Sequence, residues 1–264
     1  MEKIFMNKND LKNLKKWFAD YVSAFYTDDY DDNLALNVKK GHTMRVCENI
    51  VMIGRKLDMS KHDLIIAETI ALLHDLGRFK QFKEYGTYND MISANHARLG
   101  LREMAAHKVL SICLKAEKEL IIKAVNYHNS LKLPSGENER TLHFIRLIRD
   151  ADKLDIWKVF LEFFHEKNNR QNNIFMLDLP DEPEYSNEFI EALQRQTMAS
   201  MKDMKTLNDF KLLQIGWVYD LNFVPTVQVV QSHNIIERIE ALLPQSKEIT
   251  EAVSHAKEYV KMRL

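Results

Sequence analysis

The stretch Ile70-Ala71-Leu72-Leu73-His74-Asp75-Leu76-Gly77-Arg78-Phe79 decides how the chain is read. An apolar helical run ends in an adjacent histidine and aspartate, and Gly77 follows. Glycine just past a helix end is the usual stop, because it enters the left-handed conformation at little cost. The stretch therefore predicts a buried helix with His74 and Asp75 in its last turn and a stop at Gly77. An imidazole and a carboxylate at the end of an apolar rod need partners, since an unpaired buried charge is expensive. Metal ions are natural partners, and further ligands can be sought along the chain.

The composition favours helices throughout. Only 7 glycines and 5 prolines punctuate 264 residues, and a sandwich or barrel would need many more turns. Apolar residues at 45% and charged residues at 28% describe an ordinary globular chain. The net charge of -1 gives no overall pull toward nucleic acid or anionic membrane, so an anionic substrate must be attracted locally. Cys47 and Cys113 lie in apolar helical patterns and read as buried free thiols of a reducing cytoplasm. The N-terminus lacks the apolar core of a secretion signal, and no segment approaches the roughly 18 apolar residues of a membrane span. A soluble cytoplasmic protein is expected, with no membrane or nucleic-acid polymer as partner and with homo-oligomers compatible.

Outward from the quoted stretch, Ser60 is placed to cap its helix, and His62-Asp63 in the first turn repeats the dipeptide without an apolar run before it. That copy reads as surface. Upstream, a helix over about residues 34–57 carries His42, Arg45 and Asn49 three and four apart, hence on one face. Asp10 is placed to cap a first helix with the stripe Leu11, Leu14, Trp17, Phe18, Tyr21, Val22 and Phe25. Downstream, residues 78–88 read as an aromatic and basic loop, able to close over a phosphate or simply to pack its rings. Helices over about 90–107, 116–128 and 140–168 present His96, His128 and Asp152 respectively. The Asn/Asp/Pro-rich residues 168–187 are the best boundary candidate. Helices near 187–204, 209–219, 225–242 and 246–263 follow. The expectation is a single all-α domain, with a core over about 34–168 and a C-terminal extension over about 187–264 packed on it; a separate small helical subdomain is the alternative.

His42, His74, Asp75, His96, His128 and Asp152 thus lie at helix ends or on largely apolar helices. Mixed histidine and carboxylate ligands suit iron, manganese, zinc, cobalt or nickel better than calcium. Adjacent His74 and Asp75 point about 100° apart around a helix, so Asp75 is able to bridge two metals while His74 binds one. Such a pair would hold and deprotonate a water.

The order of these residues resembles the HD superfamily of metal-dependent phosphohydrolases. The resemblance is carried by Gly41-His42-Thr43-Met44-Arg45-Val46, by His74-Asp75-Leu76-Gly77-Arg78, by His96-Ala97-Arg98-Leu99-Gly100, by His128, and by Asp150-Ala151-Asp152-Lys153-Leu154-Asp155, over roughly residues 38–158. It implies a multi-helix bundle in which His42, His74, Asp75 and Asp152 ligate a first divalent metal. Asp75 would bridge to a second held by His96 and His128. Asp152 is preferred to Asp150 because it precedes Lys-Leu. The second histidine and Gly-Tyr-Pro motif of the HD-GYP branch are absent, which argues against cyclic di-GMP as substrate.

The function expected is hydrolysis of a phosphate ester, of a nucleotide or another small phosphorylated metabolite, by one or two metals (Mn, Fe, Zn, Co or Ni, with Mg allowed). Asp75 is the expected central ligand, and Arg45 and Lys153 the expected cations for transition-state charge. Arg78, Lys80, Arg98 and Arg149 are weaker phosphate candidates. An HD-type di-iron oxygenase and a non-catalytic sensing module are the alternatives.

Overall fold

In a computed structural model, residues 6–165 and 179–264 are described. The reading of residues 1–5, and of residues 168–178 in the expected connection, lies outside the described residues. Every regular element among the described residues is helical, so the all-α expectation holds. Cys47 and Cys113 are buried and free.

Helix α1 (Lys8–Ser23) buries Leu11, Leu14, Phe18, Tyr21 and Val22 of the expected stripe. Its cap is Asn7 rather than Asp10. The Asn7 side chain accepts from the Asn9 and Asp10 amides, and the Asp10 carboxylate accepts from the Asn7 amide at 2.9 Å. Helix α2 (Tyr30–Lys56) begins inside the acid-rich stretch Asp28-Asp29-Tyr30-Asp31-Asp32, because Asp29 accepts from the Asp32 amide at 2.9 Å and carboxylates favour the positive end of a helix. Helix α3 (Lys61–Leu73) is capped by Ser60 as expected. Its residues Ile66, Ala67, Thr69, Ile70, Ala71, Leu72 and Leu73 are all buried. A helix apolar on every side is a core helix, and α3 packs against α1, α2 and α6 (Lys115–Tyr127).

The expected stop at Gly77 and the loop after it give way to a helix. α3 ends at Leu73, and α4 (Leu76–Tyr85) starts almost at once with Gly77 inside it. Glycine is needed there for a different reason. A Cβ on Gly77 would stand 2.1 Å from the His96 carbonyl oxygen and 2.4 Å from the Gly100 nitrogen, so the backbone of α5 (His96–Ala106) lies directly on α4. The left-handed stop falls instead at Gly86, with φ 66°. α5 starts at His96 rather than near residue 90, because the Asn95 side chain caps it by accepting from the Arg98 amide at 3.0 Å. α7 (Glu139–His165) follows α6.

Contacts group the chain into two compact units, Met1–Asp155 and Ile156–Leu264, with the division inside α7. The second unit is arranged around α9 (Leu207–Gly216), whose residues are all buried, with α8 (Asn187–Gln194), α11 (Ile235–Glu240) and α12 (Lys247–Met262) packed on it. The expected helix over 225–242 is broken into α10 (Val224–Ser232) and α11 by Asn234, whose φ of 49° ends one helix and opens the next. The expected helix over 187–204 stops at Gln194 and resumes only as a 3-10 turn at Met201–Asp203.

The two glycines of α4 separate packing from conformation. Gly77→Ala should cost about 3 kcal/mol or more, since backbone on both sides of the new methyl cannot step aside. Gly86→Ala, with no atom within 4 Å of the added carbon, should cost only about 1–2 kcal/mol of left-handed strain. Thermal unfolding of the two variants checks the order, and equal losses would contradict the close approach of α4 and α5.

Candidate metal centre

The centre is built where α3 gives way to α4. His74 is the C-cap residue that follows α3, and Asp75 occupies the N-cap position of α4 with φ -102° and ψ 14°. An aspartate at an N-cap ordinarily spends its carboxylate on the helix amides. Asp75 makes no such bond. Its side chain turns instead into a cluster with His42 of α2, His96 at the start of α5, His128 at the end of α6, and Asp152 of α7. His74, Asp75, His96, His42 and His128 are at most 5% exposed.

The two oxygens of Asp75 face different partners. Oδ2 lies 3.5 Å from His42 Nε2 and 3.8 Å from His74 Nε2. Asp152 Oδ1 closes that group at 3.1 Å from His42 Nε2 and 3.7 Å from His74 Nε2. Oδ1 of Asp75 lies 3.3 Å from His96 Nε2 and 3.8 Å from His128 Nε2, and those two nitrogens are 3.0 Å apart. Donor atoms about 2.1 Å from one ion stand roughly 3–4 Å from each other, which is the spacing in both groups. His42, His74 and Asp152, and separately His74, Asp75 and His128, are geometrically able to hold an ion.

Every imidazole is oriented from behind. Nδ1 of His74 donates to the Ala71 carbonyl and Nδ1 of His128 to the Val125 carbonyl, each at 2.7 Å. A carbonyl only accepts, so the proton is on Nδ1 and the lone pair of each ring is on Nε2, aimed at the cluster. His42 Nδ1 is backed by Asp155 at 2.7 Å and His96 Nδ1 by Asp90 at 2.7 Å. Carboxylate or carbonyl backing of this kind is how metal-ligating histidines are held. His74 Nε2 is buried with no hydrogen-bond partner among the described residues, a costly state unless something else sits against it. The donor set therefore fits a divalent cation.

The charges point the same way. Burial opposes ionisation of Asp75, yet the Lys39 ammonium and the neighbouring His74, Arg78 and His96 hold its carboxyl well below the usual range. Asp152 is likewise held low against burial by His42 and His74. Burial pushes His128 down to about 3, helped by His96 and His74, so it stays neutral. His42 is opposite: burial would lower it, but Asp152 and Asp155 outweigh that and raise it to about 9.

Reading the sequence alone missed the residues behind the ligands. Asp155 follows Asp152 by one turn of α7 and is gripped by Arg45, whose Nε donates to Oδ1 at 2.5 Å and Nη2 to Oδ2 at 3.1 Å. Arg45, expected to meet phosphate, therefore lies on the carboxylate that orients His42. Lys153 is nearly buried one residue around the helix from Asp152. Arg149 donates to the His128 and Ser130 carbonyls and fixes the turn behind His128. Arg78 reaches Asp90, Gln81 and the Tyr88 carbonyl through Nη1 while its Nε stands 3.5 Å from Asp75 Oδ1. Lys39, one turn before His42, was not singled out; its ammonium is 3.2 Å from Asp75 Oδ2. The spacing of three from His42 was the available signal. His62-Asp63 lies apart, His62 against Glu117 and Asp63 against Arg140.

Compared with known proteins, the chain matches the family model described as HD domain over residues 40–157. No curated protein and no solved structure matches it. The matched segment opens just before His42 and closes just after Asp155, so it encloses both the clustered donors and the groups behind them. Residues 40–157, a little less than half of the chain, are matched as an HD domain.

Proposed function

We propose that the protein is a divalent-metal-dependent phosphohydrolase that cleaves a phosphate ester of a nucleotide or another small phosphorylated metabolite. His42, His74, Asp75 and Asp152 would hold one metal, and Asp75, His96 and His128 a second. The observation that carries this reading is the Asp75 carboxylate, buried with one oxygen toward each group of imidazoles. Metals bound there supply Lewis acidity and bring the pKa of a coordinated water toward neutrality.

The chain's own residues then have separable tasks. The carbonyls of Ala71 and Val125 and the carboxylates of Asp155 and Asp90 keep each Nε2 aimed inward. Lys39 sits at the edge of the donor cluster, its ammonium against Asp75 Oδ2 and its side chain 17% exposed. We assign it the task of neutralising the charge of an arriving phosphoryl group. Arg45 contributes by fixing Asp155, and through it His42.

Asp75→Ala should abolish both metal binding and turnover, measured by metal analysis and by a panel of phosphomonoesters, phosphodiesters and nucleotides under Mn, Fe, Co, Ni, Zn and Mg. An active, metal-free variant would sink the reading; iron with dioxygen consumption and an inert panel would transfer it to an oxygenase. Asp155→Asn keeps the shape but loses the anionic backing, and metal affinity should fall roughly 10–100-fold, measured on the fraction that stays folded.

Metal binding should also release a proton. In the metal-free protein His42 is charged up to about pH 9, so an ion at its Nε2 must displace that proton. Affinity should rise about tenfold per pH unit between 7 and 9. Calorimetry in buffers of different ionisation enthalpy should count at least one proton near neutrality, that of His42, with any ionisation of a coordinated water adding to it, since His128 is already neutral. A count of zero would remove His42 from the ligands.

A further inference from the structure

A concave site apart from the clustered donors lies in the same unit. It is a cleft of about 320 Å³ between the turn after α1, the start of α2 and the end of α4, a size within the range of small-molecule sites. Phe25 and Phe82 are half-buried on its walls, and buried Leu36 also lines it. Both rings are held from behind. Phe25 packs on Tyr21 and Phe79 with centroids 5.0 and 6.1 Å apart, and Phe82 stacks on Tyr88 at 5.0 Å and 27°. Asp32 and Lys83 are exposed at the same cleft, with Lys83 Nζ 5.5 Å from the Phe25 centroid. Gly86 contributes no side chain to the rim, and its left-handed φ disfavours one.

Fixed aromatic faces, with the Asp32 carboxylate, the Lys83 ammonium and the Tyr26 and Thr27 hydroxyls at the same cleft, match a flat heterocycle that carries both N–H groups and ring acceptors along its edge. The cleft is also joined to the metal centre by direct contacts. Phe82 stacks on Tyr88, the Lys39 ammonium is 5.3 Å from the Tyr88 centroid, and that ammonium is 3.2 Å from Asp75 Oδ2. On α2, Leu36 precedes Lys39 by one turn and so shares its side of the helix. The buried Tyr88 ring thus stands between the cleft and the Lys39 ammonium, and a ligand with its ring against Phe25 and Phe82 would have to pass over it to place a phosphate at Lys39.

We propose that this cleft binds the planar heterocyclic part of the substrate, a nucleoside-like ring whose phosphate is delivered to the metal centre. The delivery rests on the phosphohydrolase reading; the ring site itself does not.

The test uses the full chain and unphosphorylated probes. Guanosine and adenosine should give saturation-transfer NMR signals with the protein, and ribose should not. Phe82→Ala and Ala24→Trp should each weaken nucleoside binding at least tenfold. Ala24 lines the cleft at an exposed position, so tryptophan there fills it without entering the core, and this variant decides the matter even if Phe82→Ala unfolds. Absence of nucleoside binding to the natural chain, or binding unchanged in Ala24→Trp, overturns the proposal. Nucleoside binding that Ala24→Trp removes, in a protein inert toward every phosphate ester, keeps the ring site and rejects the reaction. Ester turnover without nucleoside binding does the reverse.

Discussion

A carboxylate only 4% exposed sits among imidazoles from four other places in the chain, and the surrounding structure answers to its charge. Burying an ionised Asp75 without compensation would cost several kcal/mol. Two cations meet that demand, one at each oxygen, Lys39 at Oδ2 and Arg78 at Oδ1. They differ in freedom. Arg78 is tied by Nη1 to Gln81, Asp90 and the Tyr88 carbonyl, whereas Lys39 rests on a single carboxylate oxygen and the face of Tyr88. The locked cation serves the architecture and the looser one is at liberty to serve a ligand.

The same demand explains the break between α3 and α4. Had α3 run on, Asp75 would have projected about 100° from His74 on a helix already buried all round. Ending α3 at Leu73 and restarting at Leu76 lets both side chains enter one cluster. It also brings α4 near enough to α5 for Gly77 to touch the His96 backbone, which places the His96 ring within reach of Asp75. Gly77 thus helps set the spacing between two donors without contacting either metal position.

Much of this was legible in the sequence, and the failures share a physical origin. The side chains that cluster around Asp75 could be singled out because histidines are few and those at the ends of apolar helices have little else to do. The helical pattern of α1, α3 and α7 could be found because their buried stripes repeat at helical spacing. The break in α10–α11 could not, since Asn234 enters the left-handed region without a Gly or Pro to announce it. The residues 78–88 looked like a loop because Gly77 resembled a stop, and nothing in one sequence distinguishes a glycine needed for its φ from one needed for its missing Cβ. Asp90 and Asp155 were hidden by numbers: among 38 acidic residues, the two that back imidazoles carry no mark except position, and Asp90 reaches His96 through a turn with no periodicity at all.

The backing groups are distributed in a way that bears on how the two halves would differ. Each half pairs one imidazole backed by a carboxylate with one backed by a carbonyl: His42 with His74, and His96 with His128. Each oxygen of Asp75 has one lysine or arginine beside it. What breaks the symmetry is Asp152, a second carboxylate present only in the half with His42 and His74. A divalent ion there would meet one full anion plus a share of Asp75, while an ion between His96 and His128 would meet that share alone, with the immobile Arg78 nearby. Coulomb attraction in a buried setting is large enough for one carboxylate to dominate such a comparison. The half containing Asp152 would then fill first, and filling of the other would depend on what a bound anionic ligand adds.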